Sequence, residues 1–320
     1  MKLPRPRSLK NVSLIDLRRR ISSLRDADMQ RLSDEAVASR IARIIDQFPI
    51  QLRPLLLTGL YRARLNDGAA SFGNASELWY PPGIAITRPG RLNRIGEPCF
   101  YASSTPNTAM LELHPVAGQT VTVVIAATRS GLPETLQAAF IGLERCTAAD
   151  VGHLTEHDMF RHSPQFRQQL GEGTYRKWLA IDDYLSDILG QNVPRGEEHR
   201  YRPSIALAER LFTAPTLNTI NYPSVASNDK GINLAMLPAR ADELFRPLEA
   251  WMIEIGESAL HPQTGELLTE TRFIRRSREI GADGVIHWLA PGEGINLNEI
   301  MRFARRRIET LPTRPAPAPR

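Results

Sequence analysis

Arginine and glutamate are the residues of this chain whose placement suggests chemistry. In "LYRARL" (residues 60–65) Arg62 sits in or beside an apolar strand, where a charge is unfavourable unless it is paired. Arg64 lies two residues on and, because strand side chains alternate, faces the same way. Two like charges on one face imply either an internal acid for one and solvent for the other, or an anion held between them. The stretch "GRLNRIGEPCFYASSTPNTAMLEL" (90–113) adds Arg91 after Gly90, in a loop where a planar guanidinium could grip a phosphate. The same stretch holds Asn93, Tyr101, Ser103 and Glu112. Glu112 is expected on the first turns of a helix, either exposed to solvent or aimed inward as an isolated carboxylate near those cations.

Other chemistries lack their residues. The chain has no HExxH, GxxxxGK[ST], GxSxG or GxGxxG where such a motif would have to lie, which disfavours a P-loop and a doubly wound dinucleotide site. Ser224 in "NYPSV" is not on a nucleophile elbow. His153, His157 and His162 are spaced four and five apart around Asp158, but the segment is polar and a solvated face explains it without zinc. No metal is expected. Cys99 and Cys146 make neither a disulfide framework nor a CxxC pair, so reduced cytosol is the simplest compartment.

The elements that must position these residues are of mixed type. Residues 13–46 read as helical, with Ser13 and Asp16 resembling a capping box and apolar residues recurring from Leu17 to Ile45 at helix spacing. This amphipathic unit is either a cap on the chain's own core or a docking surface for another chain. "LLLTGLYRARL" (55–65) leads into a core strand, 66–90 reads as loop, and "PCFYAS" (98–103) as a short strand. Thr105 and Pro106 fit an N-cap and a first helical position. "QTVTVVIAAT" is a strand by its β-branched density. Trp178, Asp182, Asp183 and Tyr184 suggest a helical insertion within about 141–200, and "YRPSIALAERLF" (201–212) is the strongest helix of the second half. Two short strands follow, broken at Pro223–Ser224. A helix and strand are then expected in "ADELFRPLEAWMIEIG", and again a helix then a strand in "TRFIRRSREIGADGVIHW" (271–288). Helices mixed with many short strands imply an α+β fold. The expected division is a helical extension at 1–50, a main domain at 51–300 and a basic Pro-rich tail at 301–320.

With 320 residues, 42% hydrophobic and 23% charged, the chain can bury a sizeable core. Its formal charge of +5 is unevenly spread. Residues 1–20 hold Lys2, Arg5, Arg7, Lys10, Arg18, Arg19 and Arg20 against Asp16, and residues 301–320 hold six arginines against Glu309, leaving a net-negative body. Basic ends are either solvated or a contact for an acidic partner; direct nucleic-acid binding is disfavoured because the excess is not a patch on the fold. The basic start has no apolar segment after it, so a secretory signal is disfavoured, and "TVTVVIAA" is too short to cross a bilayer.

The blocks "LYRARL", "GRLNRIGEPCFYASSTPNTAMLEL" and "INYPSV…GINLAML" together resemble the RES domain family, named for its arginine, glutamate and serine. They run from about residue 60 to 237. The resemblance implies an ADP-ribosyltransferase-like fold, a split β-core with surrounding helices. It implies NAD as substrate, with no cofactor, cleaved at the nicotinamide–ribose bond with water or inorganic phosphate as acceptor. It further implies the toxin of a toxin–antitoxin pair, with an antitoxin protein as partner. Carried over by motif, Glu112, Arg91 and Ser224 become the catalytic residues, and Arg62, Tyr101, Asn93 and Tyr222 line the substrate. In that reading both arginines hold the pyrophosphate and Tyr101 stacks on nicotinamide. The N-terminal extension, the long polar segment and the region after the serine block depart from a minimal member. Two alternatives remain: a transferase placing ADP-ribose on a protein, and a non-catalytic NAD-binding or interaction module.

Overall fold

The computed structural model describes residues 9–46, 51–54, 59–129, 137–142, 167–214, 217, 219–227, 231–260 and 267–294. The histidine trio at 153–162, Cys146 and the basic tail lie outside them.

Local capping starts the chain's first helices. Ser13 caps α1 (Leu14–Arg25): its oxygen accepts from the Asp16 amide at 3.0 Å, and its hydroxyl donates to the Asp16 carboxylate at 2.8 Å. Ser33 caps α2 (Asp34–Ile45) in the same manner, so the helical stretch is two helices with a turn between them. Their apolar stripes, Leu17, Ile21 and Leu24, then Val37, Ile41 and Ile44, are fully buried. They share one core with α4 (Glu172–Gly190) and α5 (Arg202–Phe212), so the extension caps the chain's own core. Trp178 and Tyr184 of α4 lie in that core as well. The helical part of the 141–200 segment is therefore packed against the body.

Ten strands form one sheet among the described residues. In chain order they are β1 (Gln51–Pro54), β2 (Leu60–Leu65), β3 (Phe100–Ser103), β4 (Thr120–Thr128), β5 (Gln137–Phe140), β6 (Thr219–Pro223), β7 (Ile232–Met236), β8 (Phe245–Leu260), β9 (Leu267–Ile280) and β10 (Ile286–Trp288). Their spatial order is β1-β5-β6-β7-β3-β2-β4-β8-β9-β10, with only β5–β6 parallel. Two further short helices, α3 (Pro106–Leu111) and α6 (Pro238–Leu244), flank the sheet strands in the chain, and the fold is α+β as expected.

The sheet nearly parts at its middle. β2 runs beside β4 through six residue pairs, Leu60↔Ala126 to Leu65↔Val121, whereas β2 and β3 meet only at Tyr61↔Ser103. Past that pair the strands diverge, and main-chain groups there need other partners. This is the split in the core.

One expected element is corrected. Residues 271–280, read as a helix, belong to β9, which pairs antiparallel with β8 over a long hairpin. The charged run "RFIRRSREI" carries residues at helical spacing, but Arg272 and Arg276 form cross-strand ion pairs with Glu254 and Glu249 of β8. Non-local pairing overrides local propensity here. The 66–90 loop contains two 3-10 turns, Ala75–Leu78 and Gly83–Ala85.

Candidate active site

Each strand edge at the split contributes one wall of a cavity of about 240 Å³. Strand register explains which side chains meet there. Tyr61 pairs with Ser103, Ser103 with Asn233, and Asn233 with Tyr222, so these four project from the same face of the sheet. α3 closes the site from that face. Thr105 caps it, accepting from the Thr108 amide at 3.1 Å, and Pro106 occupies its first turn. The helix lasts six residues, and Glu112 is its C-cap; His114, at φ 47°, turns the chain away. Met110 and Ala109 are buried against β2, β4 and β8, which fixes how the helix end enters the pocket.

Glu112 is the only carboxylate among the residues lining the cavity. Its Oε1 accepts from Ser224 Oγ at 2.5 Å and from Asn233 Nδ2 at 2.6 Å. Ser224 is fully buried at the end of β6, with its amide donating to the Gly231 carbonyl at 2.8 Å. A carboxylate at a helix C-terminus gains nothing from the helix dipole. The two side-chain donors, with Arg91 across the pocket, supply the favourable field instead.

Arg91 is held by a tight loop. The Gly90 amide donates to the Asn93 carbonyl at 3.0 Å, and a Cβ on Gly90 would lie 2.3 Å from Asn93 Oδ1. The position thus requires glycine. Tyr101 Oη donates to Asn93 Oδ1 at 2.8 Å and accepts from the Leu92 amide at 2.8 Å; Ser204 Oγ donates to the Arg91 carbonyl at 2.5 Å. The guanidinium lies over the Tyr222 ring, 5.6 Å from its centroid, and Nη2 reaches the Gln191 carbonyl at 3.3 Å. Nη1 is buried with no hydrogen-bond partner among the described residues. Burial works against the Arg91 cation, but the groups around it, Tyr222 and then Glu112, hold its pKa above the ordinary value. Burial pushes the Tyr222 and Tyr101 hydroxyls upward, so both stay neutral.

Arg62 is placed differently from the expectation of a joint phosphate grip. It lies on the opposite face of β2 from Tyr61, and its guanidinium donates to the Leu78 carbonyl at 3.1 Å and the Tyr101 carbonyl at 2.7 Å. Its charge is 5.8 Å from the Phe100 ring centroid. Arg64 shares that face and donates to the Glu77 carbonyl at 2.6 Å. Main-chain carbonyls take the donors of both arginines: Glu77 and Leu78 at the Ala75–Leu78 turn, and Tyr101 on β3. Asn93 likewise shapes the loop, and Tyr101 ties it down with its hydroxyl while its ring lines the cavity.

The structure therefore brings Glu112, Arg91, Tyr101 and Tyr222 to one cavity, with Arg62 entering its wall and Ser224 buried behind Glu112. Sequence reasoning missed Asn233. A lone asparagine in "GINLAML" carries no local signal; only the β3–β7 register brings it to Glu112. Among the described residues no cluster of His, Cys, Asp and Glu could hold a metal, and no helix is long and apolar enough to cross a membrane.

No curated protein matches the chain. The family model described as "RES domain" matches residues 60–255, from the first residue of β2 into β8 and across every wall of the cavity. That match spans more than half of the 320 residues, and the chain belongs to the RES domain family.

Proposed function

We propose that this protein cleaves NAD at the nicotinamide–ribose bond, passing ADP-ribose to water or inorganic phosphate. The observation that carries the reading is a single carboxylate, Glu112, held by two donors on one oxygen inside a cavity bordered by the Arg91 cation. Bond cleavage sends the electron pair to the nicotinamide nitrogen and leaves positive charge on the ribose. A fixed carboxylate stabilises that charge more in the transition state than in the ground state. Oxocarbenium character flanked by carboxylate is familiar from glycoside hydrolysis. The acceptor oxygen then bonds to the anomeric carbon, and with water as acceptor one proton is released.

Pocket size supports this division of the substrate. A cavity of about 240 Å³ is below the roughly 300–1,000 Å³ of pockets enclosing whole drug-sized ligands. It suits the nicotinamide–ribose end, with the pyrophosphate at the Arg91 side and adenosine beyond. Arg91 suits the pyrophosphate through its planar fork. Tyr101 and Tyr222 supply aromatic wall, and Ser224 orients Glu112 without acting as a nucleophile. NAD is the substrate, and no cofactor is invoked. In a cell, unrestrained NAD loss would arrest growth, so the reading extends to a cytoplasmic toxin restrained by an antitoxin protein.

The test is to incubate purified protein with NAD, with and without phosphate, and identify products by mass. Free ADP-ribose or its phosphate supports the proposal; ADP-ribose attached to a protein would replace it with a transferase. For Glu112→Gln, losing about 3 kcal/mol of transition-state stabilisation slows turnover roughly a hundredfold, while NAD still binds. An undiminished rate in the folded variant would remove Glu112 from the chemistry.

A further inference from the structure

Glu112 has a support that the arginine, glutamate and serine of the family name leave out. Asn233 Nδ2 donates to Glu112 Oε1 at 2.6 Å, and Ser103 Oγ donates to Asn233 Oδ1 at 2.8 Å. Ser103 and Asn233 are a direct cross-strand pair on β3 and β7, and both are almost fully buried. We propose that Ser103 and Asn233 form a positioning relay that fixes Glu112 with Oε1 bound to protein and Oε2 turned to the reacting sugar. This inference rests on the NAD-cleavage reading of the cavity.

The chemistry of an amide gives Ser103 its part. A carboxamide is nearly symmetric in shape but not in charge: one end donates and the other accepts. Flipped, Asn233 would set its carbonyl oxygen against the carboxylate. The Glu112 carboxylate, which only accepts, selects the orientation with Nδ2 towards it, and the Ser103 hydroxyl, donating to Oδ1, holds the other end of the amide in place. Ser224 fills the second acceptor direction of Oε1, so both side-chain donors bind the same oxygen. Serine on β3, asparagine on β7 and serine after β6 thus hold a glutamate borne on a helix, and strand register aligns all three with it. Arg91, Arg62, Tyr61, Tyr101 and Tyr222 are the other charged or titratable groups around this cavity.

The relay is tested with Asn233→Asp, Asn233→Ala, Ser103→Ala and Ser103→Thr. Asn233→Asp keeps the shape but puts a second carboxylate against Glu112. Two such groups hold a proton more tightly than one. The pair then titrates in two coupled steps where Glu112 alone had one, so the acid limb of the kcat profile changes, with little change in KM. Asn233→Ala lowers kcat roughly tenfold and Ser103→Ala several-fold, each with KM nearly unchanged. Ser103→Thr, which keeps the hydroxyl, restores most of the Ser103→Ala loss. A carboxyl-13C titration of Glu112, assigned by its disappearance in Glu112→Gln, reads the same change without turnover. If Glu112→Gln is inactive while Asn233→Asp keeps the wild-type pH profile and titration, the relay is wrong and the NAD reading stands. If wild-type protein consumes no NAD, that reading fails, and the titration alone decides whether Asn233 and Ser103 govern the carboxylate.

Discussion

Arg62 and Arg91 border the same cavity, carry the same charge and occupy opposite kinds of surroundings. Arg62 leaves a laddered strand and gives its donors to the Leu78 and Tyr101 carbonyls. The second of these belongs to β3, the strand from which β2 is separating, so the guanidinium bridges the split where ladder hydrogen bonds run out. Burial lowers its pKa to about 10, which still leaves it charged at neutral pH. Arg91 leaves a tight loop, makes a long bond to the Gln191 carbonyl, lies against Tyr222, and keeps one buried donor without a partner among the described residues. An arginine whose donors are matched by the main chain holds the fold together. One whose donor is unmatched beside a cavity is poised for a ligand oxygen. Residue type and motif could not separate these two surroundings; the hydrogen-bond partners do.

The largest effect that would sharpen this contrast is on stability. Arg62→Ala removes charge-assisted bonds to two carbonyls and a packed stem across the split, and is expected to destabilise the fold by about 3 kcal/mol. Urea unfolding at pH 7 measures it. A variant with unchanged stability and weakened NAD binding would reverse the assignment of Arg62.

Arg91→Ala should behave in the complementary way. Losing one ligand-facing cation is expected to raise KM for NAD about tenfold, while the unfolding free energy changes by roughly 0.5 kcal/mol or less. The unpartnered Nη1 is the reason: truncation removes a poorly satisfied donor along with the stem's packing. Equal losses of stability in the two arginine variants would erase the distinction.

The sequence revealed these elements unevenly, for physical reasons. Helix starts were legible because Ser13 and the Thr105–Pro106 pair act within one turn, and their caps form as expected. β4 was legible from its β-branched run. β9 was not, because its arginines balance the carboxylates of β8, a partner that local spacing does not reveal. In the site, the motif blocks pointed to Glu112, Arg91 and Ser224; Arg91 and Glu112 line one cavity and Ser224 donates to Glu112. They could not show that Arg62 faces the other side of the sheet, or that Asn233 reaches Glu112. Both facts depend on register between strands far apart in the chain.

The smallest expected effect concerns a third arginine environment, at the surface. Asp34, the first residue of α2, accepts from Arg202 Nε at 2.7 Å and Arg94 Nη1 at 2.5 Å. Arg94 follows the Arg91 loop and also pairs with Glu209 of α5, so this cluster ties the N-terminal helices to the segment that holds the site. The hydrogen bond from Arg202, then that from Arg94, lowers the Asp34 pKa below its ordinary value. A depressed acid stabilises the fold above its unfolded-state pKa, and that contribution disappears as pH falls through the lower folded value. Solvent screens so exposed a group, and Asp34→Asn should lose only about 0.5 kcal/mol at pH 7. Its urea midpoint should fall short of wild type at pH 7 and converge with it as pH falls below the lowered folded-state pKa of Asp34. A gap that persists in acid would mean that the substitution acts through packing. A larger change in KM than in stability would mean that this surface cluster sets the position of Arg91, joining two environments that the hydrogen bonds otherwise keep apart.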